Sequence, residues 1–519
     1  MRAAAQLLSA VLVLALAAPA RGDEWDDIED SDGAQDAARV EPRLDASDFR
    51  EPPPPPPPPP PMETALRRVK WGRGAQAELQ RRDAFSGPVL VTGLLAKNRV
   101  LGSVRNWSPS QFARSFSTLK GLKVGGRRTF SYWHPPIASG DGRQLAGLVG
   151  KGPHAQHWKL VPPTSTKEVL AAEREKRGAV KAPFNYWAGK ARLSAGGKDG
   201  KPVRVKHEMC ERLAQADSVD DCTDALGTEQ GTSMEQFWLS SHGVTAQLHY
   251  DLEDNFLVGV HGRKKVTLFP PSALGSVCLH PAVHPSNRQS QADVGPALAA
   301  SFGGAADAKC PSFSDAKNTQ QAISLVLHPG DVLLLPCYWL HHIEAVAPSE
   351  ISISYNVWYR SPHRVAHEKM HDVMRRSWTS EVQSFASTDA EVQAACRLLL
   401  RAVLEAAFPD AVSWQRAVQR GWQQRWAPLR AAWPRAKTRK LCQRERKLRK
   451  ANERAVVALR RTGEEMAFAF GSLPMEVRDV EAFDLVDSTI GMLHSNSLLS
   501  VQQTHGFVQA LTACAEQTL

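Results

Sequence analysis

The residues best suited to chemistry lie in two short segments about ninety positions apart. In the first, His249-Tyr250-Asp251, an imidazole and a carboxylate are separated by one residue. On an extended chain both project from one face, which suits two neighbouring positions on a single metal ion. Alone the pair is weak, because His-x-Asp arises often by chance as a hydrogen-bonding pair. The second segment, Trp339-Leu340-His341-His342, offers another imidazole. If it is extended, Trp339, His341 and Ile343 share one face, and Leu340, His342 and Glu344 share the other. The more apolar set is the one expected to face inward, so His341 is the third ligand and His342 the second choice. Two histidines and one carboxylate with coordination positions left open form the set expected for non-haem iron(II) oxygenases. Such a centre, working with O2, calls for an oxo acid that chelates the metal and supplies two electrons. The distal carboxylate of that acid wants a cation inside a mostly apolar pocket. Lys264 is suited to this, since it opens a run that alternates with Val266 and Leu268.

Ligands so far apart need a fold that brings distant strands together. Between Met234 and Tyr359, short runs rich in β-branched and aromatic residues recur: Gln236 to Leu239, Asn255 to Val260, Lys265 to Phe269, Ile323 to Leu327, Val332 to Leu335 and Ile351 to Tyr359. Turn signals separate them, notably His261-Gly262 and Pro329-Gly330-Asp331. The pattern predicts an antiparallel barrel or jelly roll. Upstream, Pro88 to Val91 reads as a strand, and Ser108 to Phe116 as a helix begun by a serine cap. The run Gly196-Gly197-Lys198-Asp199-Gly200 marks a loop. Beyond Ser361 the periodicity becomes helical, clearest over Glu391 to Phe408. Trp414, Val418, Trp422 and Trp426 follow near helical spacing, a stripe expected to pack on the same chain or a twin subunit rather than on a membrane.

These blocks, taken in order, resemble the JmjC-domain hydroxylases of the cupin superfamily, with the nearest likeness to the asparaginyl hydroxylase acting on hypoxia-inducible factor. The resemblance rests on His249-Tyr250-Asp251 with Asn255-Phe256, Gly262-Arg263-Lys264 running into Leu268-Phe269-Pro270-Pro271, and His284-Pro285 with Arg288-Gln289-Ser290-Gln291. It continues through Pro329-Gly330-Asp331-Val332 to Tyr338-Trp339, His341-His342-Ile343-Glu344 and Asn356-Val357-Trp358-Tyr359, and covers about Phe237 to Arg360. It implies a mainly β double-stranded β-helix with flanking N-terminal α/β elements and a C-terminal helical region. It also implies Fe(II) held by His249, Asp251 and His341, with 2-oxoglutarate as cosubstrate and its distal carboxylate on Lys264. Asn255 and Asn356 would lie near the chelating end, Trp358 would wall the pocket, and Arg288 and Gln289 would hold the target side chain. The relative has a threonine three residues before its first metal histidine, where this chain has Ala246, so Thr245 is the substitute candidate. Tyr186 is the candidate for a tyrosine that contacts the cosubstrate. A protein side chain of Asn or Asp type is the implied target. An N-methyl-lysine demethylase and a non-catalytic cupin binding protein are the rival readings.

The rest of the chain bears on organisation and address. Of 519 residues, 1–22 read as a secretory signal: Arg2 supplies the positive start, Leu7 to Leu16 the apolar run, and Ala18-Pro19-Ala20 or Gly22 the cleavage site. Residues 23–62 read as a disordered acidic segment followed by a polyproline spacer, Pro52 to Pro61. Residues 63–231 form the N-terminal part of the catalytic domain, 232–375 the core and 376–519 the helical region. The expected address is the endoplasmic reticulum lumen or the outside of the cell, with no integral membrane segment once the signal is removed. Eight cysteines without a CxxC pair fit an oxidising lumen with one or two bridges, for instance Cys210–Cys222 or Cys278–Cys310. Asn106-Trp107-Ser108 is a glycosylation sequon. The net charge of +10 is concentrated in the basic run from Arg435 to Arg461, read as a solvated helix face, so no nucleic-acid partner is expected. A homodimer through the C-terminal helices is expected from the resemblance.

Overall fold

The computed structural model describes residues 66–71, 87–93, 108–132, 158–176, 179–190, 194–196, 202–204, 234–281, 284–291, 310, 322–346 and 351–359. Further on it describes 364, 366–370, 373, 382, 386, 388–426, 438–471, 473 and 475–514. The expected signal, acidic and polyproline segments, Asn106, Cys210 and Cys222 lie outside these residues.

Among the described residues, ten strands and two helices precede the core: β1 (Arg67–Lys70), β2 (Val89–Thr92), α1 (Pro109–Ser115), β3 (Thr118–Leu119), β4 (Lys123–Gly125), β5 (Thr129–Phe130), β6 (Trp158–Leu160), β7 (Thr164–Ser165), α2 (Thr166–Glu175), β8 (Phe184–Lys190), β9 (Ser194–Gly196) and β10 (Pro202–Arg204). The core strands are β11 (Met234–Ser240), β12 (Thr245–His249), β13 (Asp254–His261), β14 (Lys264–Phe269), β15 (Ile323–Leu327), β16 (Val332–Leu335), β17 (Leu340–Ala345) and β18 (Ser352–Tyr359). They form two sheets. The larger runs β1-β2-β16-β13-β18-β11-β8-β4-β6 and the smaller β15-β14-β17-β12-β5. Apart from the β1–β2 and β12–β5 pairs, the ladders in both sheets are antiparallel. This is the jelly roll that the strand pattern predicts.

Alternation sorts the side chains. On the larger sheet Phe237, Leu239, Phe256, Val258, Ile353, Tyr355 and Val357 turn outward, where α1 and α2 cover them with Phe112, Val169 and Leu170. Their neighbours Trp238, Asn255, Leu257, Ser354, Asn356 and Trp358 turn inward and line a cavity. Both faces are therefore buried, which is why these strands read as nearly continuous apolar runs. The α1 helix begins as the sequence predicts: Ser108 accepts from the Gln111 amide, and the Gln111 side chain returns the bond in a capping box. At the β13–β14 turn Gly262 has φ +67°, and a Cβ there would lie 2.7 Å from the Ile351 carbonyl oxygen. Only glycine fits.

After the jelly roll come α3 (Asp389–Ala407), α4 (Ala411–Arg425), α5 (Thr438–Ala451), α6 (Glu453–Gly471), α7 (Met475–Ser495) and α8 (Val501–Ala513). Among the described residues helix exceeds strand, so "mainly β" holds for the core and not for the chain; the C-terminal helices are too long for that description. The tryptophan stripe is spent inside the chain: Trp414, Val418, Trp422 and Trp426 are buried, and the Trp426 indole N–H donates to Asp487 at 3.0 Å. The basic run is a solvated face, with Arg439, Lys440, Arg444, Arg446, Lys447 and Lys450 exposed while Cys442, Glu445 and Leu448 point inward. Cys278–Cys310 form a disulfide, as does Cys442–Cys514, a pairing the sequence left unmarked. Among the described residues no helix is long and apolar enough to cross a membrane.

Candidate metal centre

His249 ends β12, and Asp251 lies two residues on, just past the strand. His341 is directly opposite His249 across the β12–β17 ladder. That register brings the two rings to 4.0 Å between centroids. The Asp251 carboxylate stands 4.0 Å from His249 Nε2 and 3.8 Å from His341 Nε2. One ligand atom from each of the three residues lies within 4.8 Å of the others, and all three residues are buried.

The tautomers follow from the backbone. His249 Nδ1 lies 2.6 Å from the Gln247 carbonyl oxygen and His341 Nδ1 2.9 Å from that of Trp339. A carbonyl only accepts, so each Nδ1 carries the proton and each Nε2 lone pair is left for a metal. Desolvation, helped by His341, holds the His249 pKa well below the usual histidine value, which keeps the ring neutral. The Trp358 indole N–H donates to Asp251 Oδ2 at 3.0 Å and fixes the carboxylate. Its backbone is held as well, because the Tyr338 amide donates to the Asp251 carbonyl at 2.9 Å. Two imidazoles tied through Nδ1 to backbone carbonyls and an oriented carboxylate, all facing a cavity, fit iron(II) with positions open.

The cavity is lined by side chains from both sheets. Lys264 enters from β14 and donates to Ser354 Oγ at 2.8 Å; burial pulls its pKa down to about 7. A lysine so placed gains from an anionic ligand. Asn255 and Asn356 border the same space, with Asn356 Nδ2 donating to Asn255 Oδ1 at 3.1 Å. Tyr186 also lines it, stacked on Trp238 with centroids 5.3 Å apart. Burial, then the nearby Asp251 charge, push the Tyr186 pKa up, so the phenol stays protonated.

The structure thus brings His249, Asp251, His341, Lys264, Asn255, Asn356, Tyr186 and Trp358 around one cavity. Thr245 is not among them. Val244 and Ala246 face the cavity, alternation turns Thr245 away, and its hydroxyl meets Thr129 at 3.1 Å. Gln289 is also outside the lining: its amide oxygen accepts from the Tyr132 backbone amide at 2.9 Å. Arg288, next to it at φ +61°, does not line the cavity either. His342 faces away from the centre on β17, opposite Thr267, and burial lowers its pKa to about 3. Two cavity residues carry no mark in the sequence. Ser354 holds the lysine, and the Tyr132 hydroxyl lies 3.3 Å from His249 Nε2. Tyr132 is brought there by Gln289 across 157 positions, which no local pattern reveals.

A jelly roll with two imidazoles and a carboxylate at one end of its cavity defines the cupin class of metal proteins. Residues 156–364 match the family described as a cupin-like domain. Over 129 residues the chain is 29% identical to lysine-specific demethylase JMJ31 of Arabidopsis thaliana, covering 24% of this chain and 20% of that protein. It is 33% identical over 126 residues to tRNA wybutosine-synthesizing protein 5 of Gallus gallus, covering 24% of this chain and 33% of that one. Lysine-specific demethylase 8 of Danio rerio is 28% identical over 166 residues, which cover 31% of this chain and 37% of the relative. The match spans well under half of each relative's length.

Proposed function

We propose that this chain is an iron(II)- and 2-oxoglutarate-dependent oxygenase that hydroxylates a protein side chain, with an Asn or Asp target favoured by its resemblance to the asparaginyl hydroxylase. The observation that carries the reading is the meeting of His249, Asp251 and His341 in the same cavity as the buried Lys264. Bound together, iron(II), 2-oxoglutarate and O2 supply the means to insert one oxygen atom into an unactivated C–H bond while the oxo acid is decarboxylated. The chain's part is to hold and to exclude. His249, Asp251 and His341 would hold the ion, and Trp358 keeps Asp251 turned toward it. Lys264, steadied by Ser354, would take the distal carboxylate. Leu257, Ile343 and Trp238 keep the cavity wall apolar and limit water.

The relatives named as lysine-specific demethylases favour a second reading, in which the oxidised carbon is an N-methyl group. For this chain the address weighs against a chromatin target. The secretory signal read at residues 1–22, supported by two disulfides among the described residues, sends the protein into the secretory pathway. Its partner there is a protein substrate.

The test is aerobic incubation of the purified full chain with iron(II) and 2-oxoglutarate, alone and with a lumenal protein extract, followed by mass spectrometry. The expected result is extract-dependent succinate and one added oxygen on a single side-chain type. Loss of a methyl group instead would favour the demethylase reading. Metal binding with no cosubstrate consumed under any condition would favour a non-catalytic binding protein.

A further inference from the structure

Tyr250, the residue between two of the ligands, points away from the cavity and into the C-terminal helices. It is buried, stacks on Tyr338 with centroids 5.6 Å apart, and donates its hydroxyl to Asp484 Oδ2 at 3.0 Å. Asp484 lies on α7 and accepts from Arg425 at the end of α4. Arg425 also stands 3.9 Å from Asp487, the acceptor of the Trp426 indole. The Gln291 amide, in the loop beside the centre, donates to the Arg425 carbonyl at 3.0 Å.

The two helices meet closely at this point. A Cβ on Gly421 of α4 would come 2.1 Å from Cγ of Phe483, the neighbour of Asp484. Glycine inside a helix is unfavourable relative to alanine, and the Phe483 ring explains its use here. Glu481, Asp484 and Asp487 recur every three residues on α7. Glu481 takes His367 Nδ1 at 2.8 Å, Asp484 takes Tyr250, and Asp487 is fully buried. Glu481 and Asp487 are buried and Asp484 is half-buried, and carboxylates so placed gain little stability over apolar side chains of like size, because desolvation offsets their attraction. Fixing the backbone between two metal ligands is a use that apolar residues cannot serve.

We propose that the C-terminal helices set the geometry of the metal centre through the Asp484–Tyr250 hydrogen bond, making Asp484 and Tyr250 positioning residues for metal binding. The inference rests on His249, Asp251 and His341 being the ligands. Its test is cobalt(II) titration of the full-length chain, read by visible absorption, for the wild type, Tyr250→Phe, Asp484→Asn, the double variant, Asp251→Ala and Arg420→Ala. Arg420 makes an exposed ion pair with Asp479 between the same two helices and serves as the control. Tyr250→Phe and Asp484→Asn are each expected to weaken binding about tenfold and alter the cobalt spectrum. The double variant should be no weaker than Asp484→Asn alone, and Arg420→Ala should match the wild type. Wild-type affinity and spectrum in both single variants, with only a lowered melting temperature, would overturn the proposal and leave the bond a structural one. Wild-type binding by Asp251→Ala would instead overturn the ligand assignment on which it rests.

Discussion

Lys264 is buried beside a serine hydroxyl, and its pKa of about 7 makes its charge depend on the ligand it meets. A carboxylate needs the protonated form. Below pH 7 the lysine is already charged; above it, binding 2-oxoglutarate must take up a proton. The affinity measured calorimetrically on the metal-loaded chain should therefore fall by up to about tenfold per pH unit above 7, with proton uptake visible as a buffer-dependent heat. Lys264→Met should weaken 2-oxoglutarate at least about a hundredfold at neutral pH while metal affinity holds. A pH-independent affinity in the wild type would remove the lysine from this role. Trp358→Phe takes a hydrogen bond from the Asp251 carboxylate, an interaction of about 1.5–3 kcal/mol. Metal affinity should fall about tenfold or more, checked by competition with a chelating dye. The three candidate ligands and Lys264 are legible as cavity residues because period-two alternation decides which side chain of a strand faces in: His341 rather than His342, Lys264 with Val266 and Leu268. The same rule, applied to Thr245, excludes it, since Ala246 is the inward neighbour. Gln289 was readable only as a loop polar residue or by resemblance, and its bond to Tyr132 spans a distance no spacing rule covers.

At the scale of elements, strand boundaries follow the sequence closely where both faces are apolar. Val332–Leu335 and Ile323–Leu327 are found as read. The N-terminal strands were less legible: β3, β5 and β7 have two residues each and exist through pairing with distant partners. The polar chemistry between the C-terminal helices was hidden for a different reason. Arg397 and Arg401 of α3 both reach Glu445 of α5, and all three are buried. In the sequence they look like solvent-facing charges on amphipathic helices. Glu445→Ala strands two guanidinium groups and should cost about 3–5 kcal/mol in chemical denaturation of the helical region. The Cys442–Cys514 bridge closes a separation of 72 residues between α5 and the end of α8. Loop-closure entropy gives it about 4 kcal/mol, so Cys514→Ser should lower the denaturation midpoint under oxidising conditions and leave it unchanged under reducing ones.

For the molecule as a whole, a jelly roll supplies the cavity and a helical region of comparable size closes against it through residues 271–281 and 284–291. The 3₁₀ turn Pro271–Ser276 meets α4 and α7, and the Gln424 amide donates to the Gly275 carbonyl. The helical region was legible as helix, but not as a support for the metal segment, because Tyr250 and Asp484 are 234 positions apart. Since the tryptophan stripe is consumed within the chain, a homodimer would have to use other helix faces; light scattering of the purified chain tests for one directly. Iron(II) and 2-oxoglutarate would share the centre built by His249, Asp251 and His341. The most direct measurement is anaerobic titration of the iron(II)-loaded chain with 2-oxoglutarate, following the visible charge-transfer absorption of a chelated oxo acid. The band is expected to saturate at one equivalent in the wild type and to be absent in Asp251→Ala and His341→Ala. No band in the wild type, or an equal band in those variants, would contradict the assignment.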